Sequence, residues 1–262
     1  MAIIATLLDT RSALASLRRS TPRLAATLRA CRTSAAFFKL IETQFIDAAV
    51  LGIRAAQAID LGKLRERFPI IPVVVYGPVR SDHGPLLHQL QAHGVVAVAI
   101  EGVDDPVVSE LVRRSGYLAR RRAELAHLPR SLRLTEPLQR RALDRLLAQV
   151  GVPLSADGLA RGLGISREHL SRQFAAGGAP NLKRVVDLLQ LLVVHDLLGC
   201  PGYSHSTVAE WLGFSDESHL RVVVRRLTRL PLRDFRSASG AEIQRRFVAA
   251  GTRSRGGLRM DR

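Results

Sequence analysis

Two short groups of side chains carry most of the chemistry legible in this chain. Arg167, Glu168, Ser171 and Arg172 form one; Glu217, Ser218, His219, Arg221 and Val222 form the other. An arginine can bond the O6/N7 edge of guanine twice, a glutamate can accept from the N4 amine of cytosine, serine bonds either way, and valine can meet a thymine methyl. This is chemistry for reading base edges, not for breaking bonds. Ser81, Asp82 and His83 are sequence neighbours, which alone makes no triad, and no Gly-x-Ser-x-Gly or phosphate loop accompanies them. His83, His88 and His93 recur every five residues and so share no helical face. Cys31 and Cys200 are too few for a disulfide framework and lack zinc spacing, so neither metal nor cofactor is expected.

The elements that would position the two groups repeat. Leu159 to Phe174 and Val208 to Arg221 each read as a short helix, a tight turn at Leu-Gly-Ile/Phe-Ser, and a second helix opened by a serine cap, Ser166 or Ser215. Gly164 and Gly213 make the corners, 49 residues apart. Leu159, Leu163, Ile165, Leu170 and Phe174, with Val208, Trp211, Leu212, Phe214, Leu220 and Leu227, are the expected core of the two copies. Between them, residues 181–199 are apolar on nearly every face, start at Asn181 and stop at Gly199 with Pro201 beyond. That predicts a buried helix of roughly 28 Å. Successive major-groove faces on one side of B-DNA lie about 34 Å apart, so a rod of this length suits two recognition helices reading adjacent turns.

Residues 135–237 resemble the DNA-binding domain of the AraC/XylS family: helix-turn-helix, linker helix, helix-turn-helix, then a proline and a closing helix. Gly213-Phe214-Ser215-Asp216-Glu217-Ser218-His219-Leu220 is similar to the second-motif signature, and Leu230-Pro231-Leu232-Arg233-Asp234-Phe235-Arg236 to the closing segment. The resemblance implies a domain over 131–237, with a C-terminal helix and basic tail over 238–262. It implies base reading by Glu168, Ser171, Arg172, Glu217, Ser218 and His219. Phosphate contact falls to Arg167, Arg221, Arg225 and Arg226, with Arg229 and Arg233 as further candidates; a structural or phosphate-contacting role suits His169 and His219. The chain departs from the family where Leu220 and Val223 or Val224 replace aromatic residues, where Thr228-Arg229 replace a glycine before the last proline, and where Gln190 stands near a usual arginine.

In the first half, apolar runs at Ala2 to Leu8, Leu24 to Ala30, Ala48 to Ile53, Ile70 to Tyr76 and Val95 to Ile100 alternate with helices near 11–19, 33–44, 61–67 and 83–93, and with a long one near 105–128. Alternation of this kind predicts a flavodoxin-like, five-stranded parallel sheet over 1–104, followed by a linking helix over 105–130. Residues 33–102 resemble a response-regulator receiver whose chemistry is gone. Gly52 stands at the phosphoacceptor position, Gly77 near the hydroxyl residue and Glu101 at the lysine, with only Asp9 where two acids would hold magnesium. A phosphoryl group needs a carboxylate, a metal and a cation, so no phosphoacceptor is expected. The degenerate receiver is expected to be a homodimerisation or partner surface, with a small-ligand pocket as the alternative. Arg113, Arg114, Arg120, Arg121 and Arg122 read as a solvated face, or as added phosphate contact.

The formal net charge is +16. Residues 130–262 hold 22 Lys/Arg against 12 Asp/Glu, and residues 1–129 hold 17 against 11, so the excess sits more on the second half. This is the footprint of a protein drawn to polyanions. The first eight residues lack a basic region and run into Asp9, residues 182–198 carry Asp187 and Asp196, and neither a signal peptide nor a membrane span is expected. The tail from Gly251 is low in apolar residues and reads as disordered. These observations together predict a cytoplasmic, sequence-specific regulator of transcription that binds double-stranded DNA and is not an enzyme, with RNA polymerase as a further candidate partner. The alternatives are a phosphorylation-controlled response regulator and an enzyme built on the α/β domain.

Overall fold

In the computed structural model, the described residues are 2–22, 26–148, 155–174 and 179–257, without the side chains of Ser81 and of 251–257. They form two units, Met1–Ala126 with Cys200–Gly202, and His127–Gly199 with Tyr203–Arg262.

Short runs of Ala, Val, Ile and Leu become strands in the first unit because helices cover them on both faces. The strands β1 (Ala2–Leu7), β2 (Ala26–Ala30), β3 (Ala48–Leu51), β4 (Val73–Gly77) and β5 (Ala97–Ile100) are parallel in the order β2-β1-β3-β4-β5. This is the doubly wound, receiver-like arrangement. All four residues of the central β3 are buried. On one face Leu17 from helix α1 (Arg11–Ser20) joins Ile4, Val50, Val74 and Tyr76 in the core. The further helices are α2 (Ser34–Thr43), α3 (Ile53–Ala58), α4 (Leu61–Arg67), α5 (Gly84–Ala92), α6 (Val108–Ser115) and α7 (Tyr117–Glu124). Val108 and Val112 of α6 complete that core.

The linking helix expected over 105–130 is instead three pieces: α6, α7 and the single turn α8 (Leu128–Ser131). Gly116 is extended (φ −59°, ψ 157°) and breaks the run. Buried Asp47 stabilises the break: its backbone carbonyl accepts from Tyr117 N at 2.9 Å and its Oδ1 from Leu118 N at 2.7 Å. Residues 105–126 therefore belong to the first unit. The strands also begin later or end sooner than the apolar runs. Gly52 ends β3, and Ile53 opens a helix; residues 23–25 of the second run lie outside the described residues.

The second unit is helical: α8, α9 (Pro137–Leu147), α10 (Ala156–Leu163), α11 (Arg167–Phe174), α12 (Leu182–Leu198), α13 (His205–Trp211), α14 (Glu217–Thr228), α15 (Leu232–Ser237) and α16 (Gly240–Gly257). Eleven of the 17 residues of α12 are buried, each Leu or Val among them contributing about 1.5–3 kcal/mol of transfer free energy. It runs through the unit in contact with α9, α10, α11, α13, α15 and α16. Asn181 caps it, its side chain accepting from Arg184 N at 2.9 Å. Buried Gln139 of α9 donates to Phe174 O at 3.0 Å and closes the end of α11.

Residues 243–250 contribute to this core. Ile243 and Phe247 of α16 are buried, and the Arg184 guanidinium lies 4.0 Å over the Phe247 ring. The helix runs through Gly257, into what composition reads as a disordered tail; residues 258–262 lie outside the described residues.

Candidate nucleic-acid interface

Each copy of the repeat is built by its capping chemistry. In the first, Ser155 accepts from Gly158 N at 3.0 Å to start α10, Gly164 takes the left-handed conformation (φ 70°), and Ser166 Oγ accepts from His169 N at 3.1 Å to start α11. In the second, Ser204 accepts from Thr207 N at 3.0 Å to start α13, and Gly213 takes φ 75°. A side chain at either corner would cost about 1–2 kcal/mol.

The cap of α14 departs from expectation. It is Asp216, accepting from His219 N at 2.7 Å, and that N–H holds its carboxyl below the ordinary range. Ser215 instead turns its hydroxyl to His219 Nδ1 at 3.2 Å, which ties the imidazole to the turn. The second turn is thus one residue longer than the first. The glycines correspond at a spacing of 49, but the helices after them correspond at 50, as buried Leu170 and Leu220 confirm.

That register decides which side chains are equivalent. Glu168, Ser171 and Arg172 of α11 are exposed, and their counterparts on α14 are Ser218, Arg221 and Val222, also exposed, Val222 to 63 %. Glu217 matches Arg167 and His219 matches His169. Arg167 and Glu217 both reach back to the first turn of the preceding helix. Arg167 pairs with Asp157 at 3.3 Å; Glu217 Oε1 accepts from His205 Nδ1 at 3.0 Å and from Arg221. The same strut is built twice with donor and acceptor exchanged between the helices, and the His205 bond holds the Glu217 carboxyl below its ordinary range. Arg225 and Arg226 are exposed further along α14. The expected core residues Leu159, Leu170, Phe174, Val208, Leu212, Leu220 and Leu227 are buried, whereas Leu163, Ile165, Trp211 and Phe214 are half-buried.

Residues 159–238 match a family model described as a helix-turn-helix domain. The second unit carries an AraC-type helix-turn-helix domain. Two of its departures from the family pattern have local solutions. Arg229 itself adopts the left-handed conformation (φ 63°) where a glycine is usual, and buried Thr228 donates to Val224 O at 2.7 Å and accepts from Leu230 N at 3.2 Å. Gln190 donates to Leu212 O at 2.9 Å, fastening α12 of the AraC-type domain to its second turn.

No curated protein matches the chain. Solved structures similar to it include a response regulator from Thermotoga maritima (13% identity, 44% of this chain and 96% of that one, TM-score 0.39). FixJ from B. japonicum (16% identity, 71% and 94%, TM-score 0.40) and the transcriptional regulator CdpR from Pseudomonas aeruginosa (20% identity, 71% and 62%, TM-score 0.35) are others. At these scores they bear on neither fold nor function, and the receiver-like reading rests on the strand order.

At the strand ends of the first unit, Asp9 accepts from Arg54 N at 2.9 Å and Ala55 N at 3.1 Å, capping α3. A Cβ on Gly52 would lie 2.5 Å from Asp9 Cγ. Glu101 takes the hydroxyl of Ser12 at 2.8 Å. Tyr76 donates to Asp105 at 2.5 Å, which holds the Asp105 carboxyl down while burial pushes the phenol up. Of the arginines beyond β5, Arg113 and Arg114 are spent on Glu110, whose pKa they hold at about 2, and Arg120 donates to Ile70 O at 2.6 Å. Among the described residues no helix is long and apolar enough to cross a membrane.

Proposed function

We propose that the chain is a sequence-specific DNA-binding transcriptional regulator of AraC type, acting by binding rather than catalysis and working in the cytoplasm on double-stranded DNA. The observation that carries this is the matched register of α11 and α14, which puts Glu168, Ser171, Arg172 and Ser218, Arg221, Val222 at equivalent exposed places on two helices joined by one buried rod. In this reading Arg172 is a bidentate reader of guanine, Glu168 and Ser171 read beside it, Val222 meets a thymine methyl, and Ser218 reads with it. Glu217 and His219 act through Arg221 and the turn. Arg167, Arg225 and Arg226 contact phosphates. The receiver-like unit serves as the homodimer or partner surface, and RNA polymerase is the further partner.

The test is binding of Arg172→Ala to a duplex selected from a random library and to an unselected one. A loss of about 1–3 kcal/mol on the selected duplex, relaxed at one base position, is expected. Equal losses on both duplexes would make Arg172 a phosphate contact instead.

A further inference from the structure

Beside the second recognition helix lies a cleft that base reading leaves unused. His205 from α13, Arg221 from α14, Arg233, Arg236 and Ser237 from α15, and Gly199 after α12 line an open volume of about 500 Å³. Three arginines and a histidine from three helices thus share its lining with the apolar Leu232. The carboxylate beside them, Glu217, already has its Oε1 shared between His205 and Arg221. Arg236 is held in place, its Nε donating to Leu198 O at 3.1 Å, and Arg221 by Glu217. Two of the three cations are therefore ordered in advance, which lowers the entropic cost of closing on a ligand. Like charges gathered in one concavity favour an anion, and planar guanidinium forks match the oxygens of a phosphate.

We propose that this cleft seats one phosphate group, gripped by Arg221, Arg233 and Arg236. The phosphate belongs to the DNA strand along the lip of the groove that α14 enters, because Arg221 lies both on the cleft wall and next to Val222 on the reading helix. In that respect the inference rests on the DNA-binding reading. A free phosphoryl compound has the same chemistry and would compete for the seat.

The test uses the full chain with Arg233→Gln, Arg233→Lys and, as a charge control from elsewhere in the unit, Arg245→Gln. Binding to a selected and an unselected duplex is measured across salt concentrations, and inorganic pyrophosphate is titrated at low salt. Arg233→Gln should lower the salt slope by about one unit and weaken both duplexes by the same factor, on the order of tenfold, with Arg233→Lys recovering most of the slope. Pyrophosphate binding that Arg233→Gln abolishes adds the free phosphoryl source; no pyrophosphate binding beside the altered slope leaves the strand as the source. A slope no different from that of Arg245→Gln, or a loss confined to the selected duplex, overturns the seat. Should the unaltered chain ignore every duplex, the regulator reading falls, and pyrophosphate alone decides: binding that needs Arg233 keeps the cleft as a phosphate seat, and its absence removes it.

Discussion

Asp9 occupies the space that a side chain at Gly52 would need: a Cβ there would lie 2.5 Å from Asp9 Cγ and 2.6 Å from each of its oxygens. That carboxylate accepts from Arg54 N and Ala55 N at the start of α3, so the space beside Gly52 is filled. Gly52→Asp is therefore expected to lower stability by about 1–3 kcal/mol through crowding at a filled site. It should also show no phosphoryl adduct by mass after incubation with a small phosphodonor. A stable variant that gains the adduct would mean the pocket is open.

Arg229 holds the left-handed conformation at the end of α14 without glycine's freedom. Arg229→Gly should raise stability by about 1 kcal/mol, read from chemical unfolding of the second unit. A lower midpoint would show that the arginine side chain contributes more than its backbone strain costs.

Asp47 is a buried carboxyl whose pKa is pushed up by burial, against the opposing pull of the Leu118 N–H and, more weakly, of Arg120. A folded pKa above the unfolded one means that the group favours folding most below the ordinary aspartate value of 3.8, and that this contribution is lost as pH rises through the raised value. Asp47→Asn keeps an acceptor for Leu118 N and drops the charge. It should melt above the unaltered chain at neutral pH, with the gap closing as the pH approaches 3.8. A gap that widens on acidification would reverse the sign assigned to Asp47.

Local signals explain what could be read without coordinates. Gly164 and Gly213 do sit in left-handed turns, Asn181 does cap α12, and the alternation of apolar runs and helices does yield the β2-β1-β3-β4-β5 sheet. What escaped the sequence depends on choices between equivalent residues or on tertiary partners. Ser215 and Asp216 are both good caps, and only the folded turn chooses Asp216, so α14 corresponds to α11 one residue later than the turn glycines imply. Gly116 breaks a helix because Asp47, far off in the chain, satisfies the backbone of the next one. Residues 159, 170 and 174 were recognisable as core from period alone, whereas the cleft of His205, Arg221, Arg233 and Arg236 exists only once three helices meet.

If the chain reads DNA as proposed, α12 holds two groove-entering helices one duplex turn apart. Selecting duplexes from a random library with the full chain, then inserting about 5 base pairs between the two protected segments, tests it most directly, because half a turn rotates one segment to the far side of the helix. Two protected segments about 10 base pairs apart are expected, with at least a roughly tenfold loss of affinity on insertion. Affinity indifferent to the insertion, or no duplex bound at moderate salt, would contradict it.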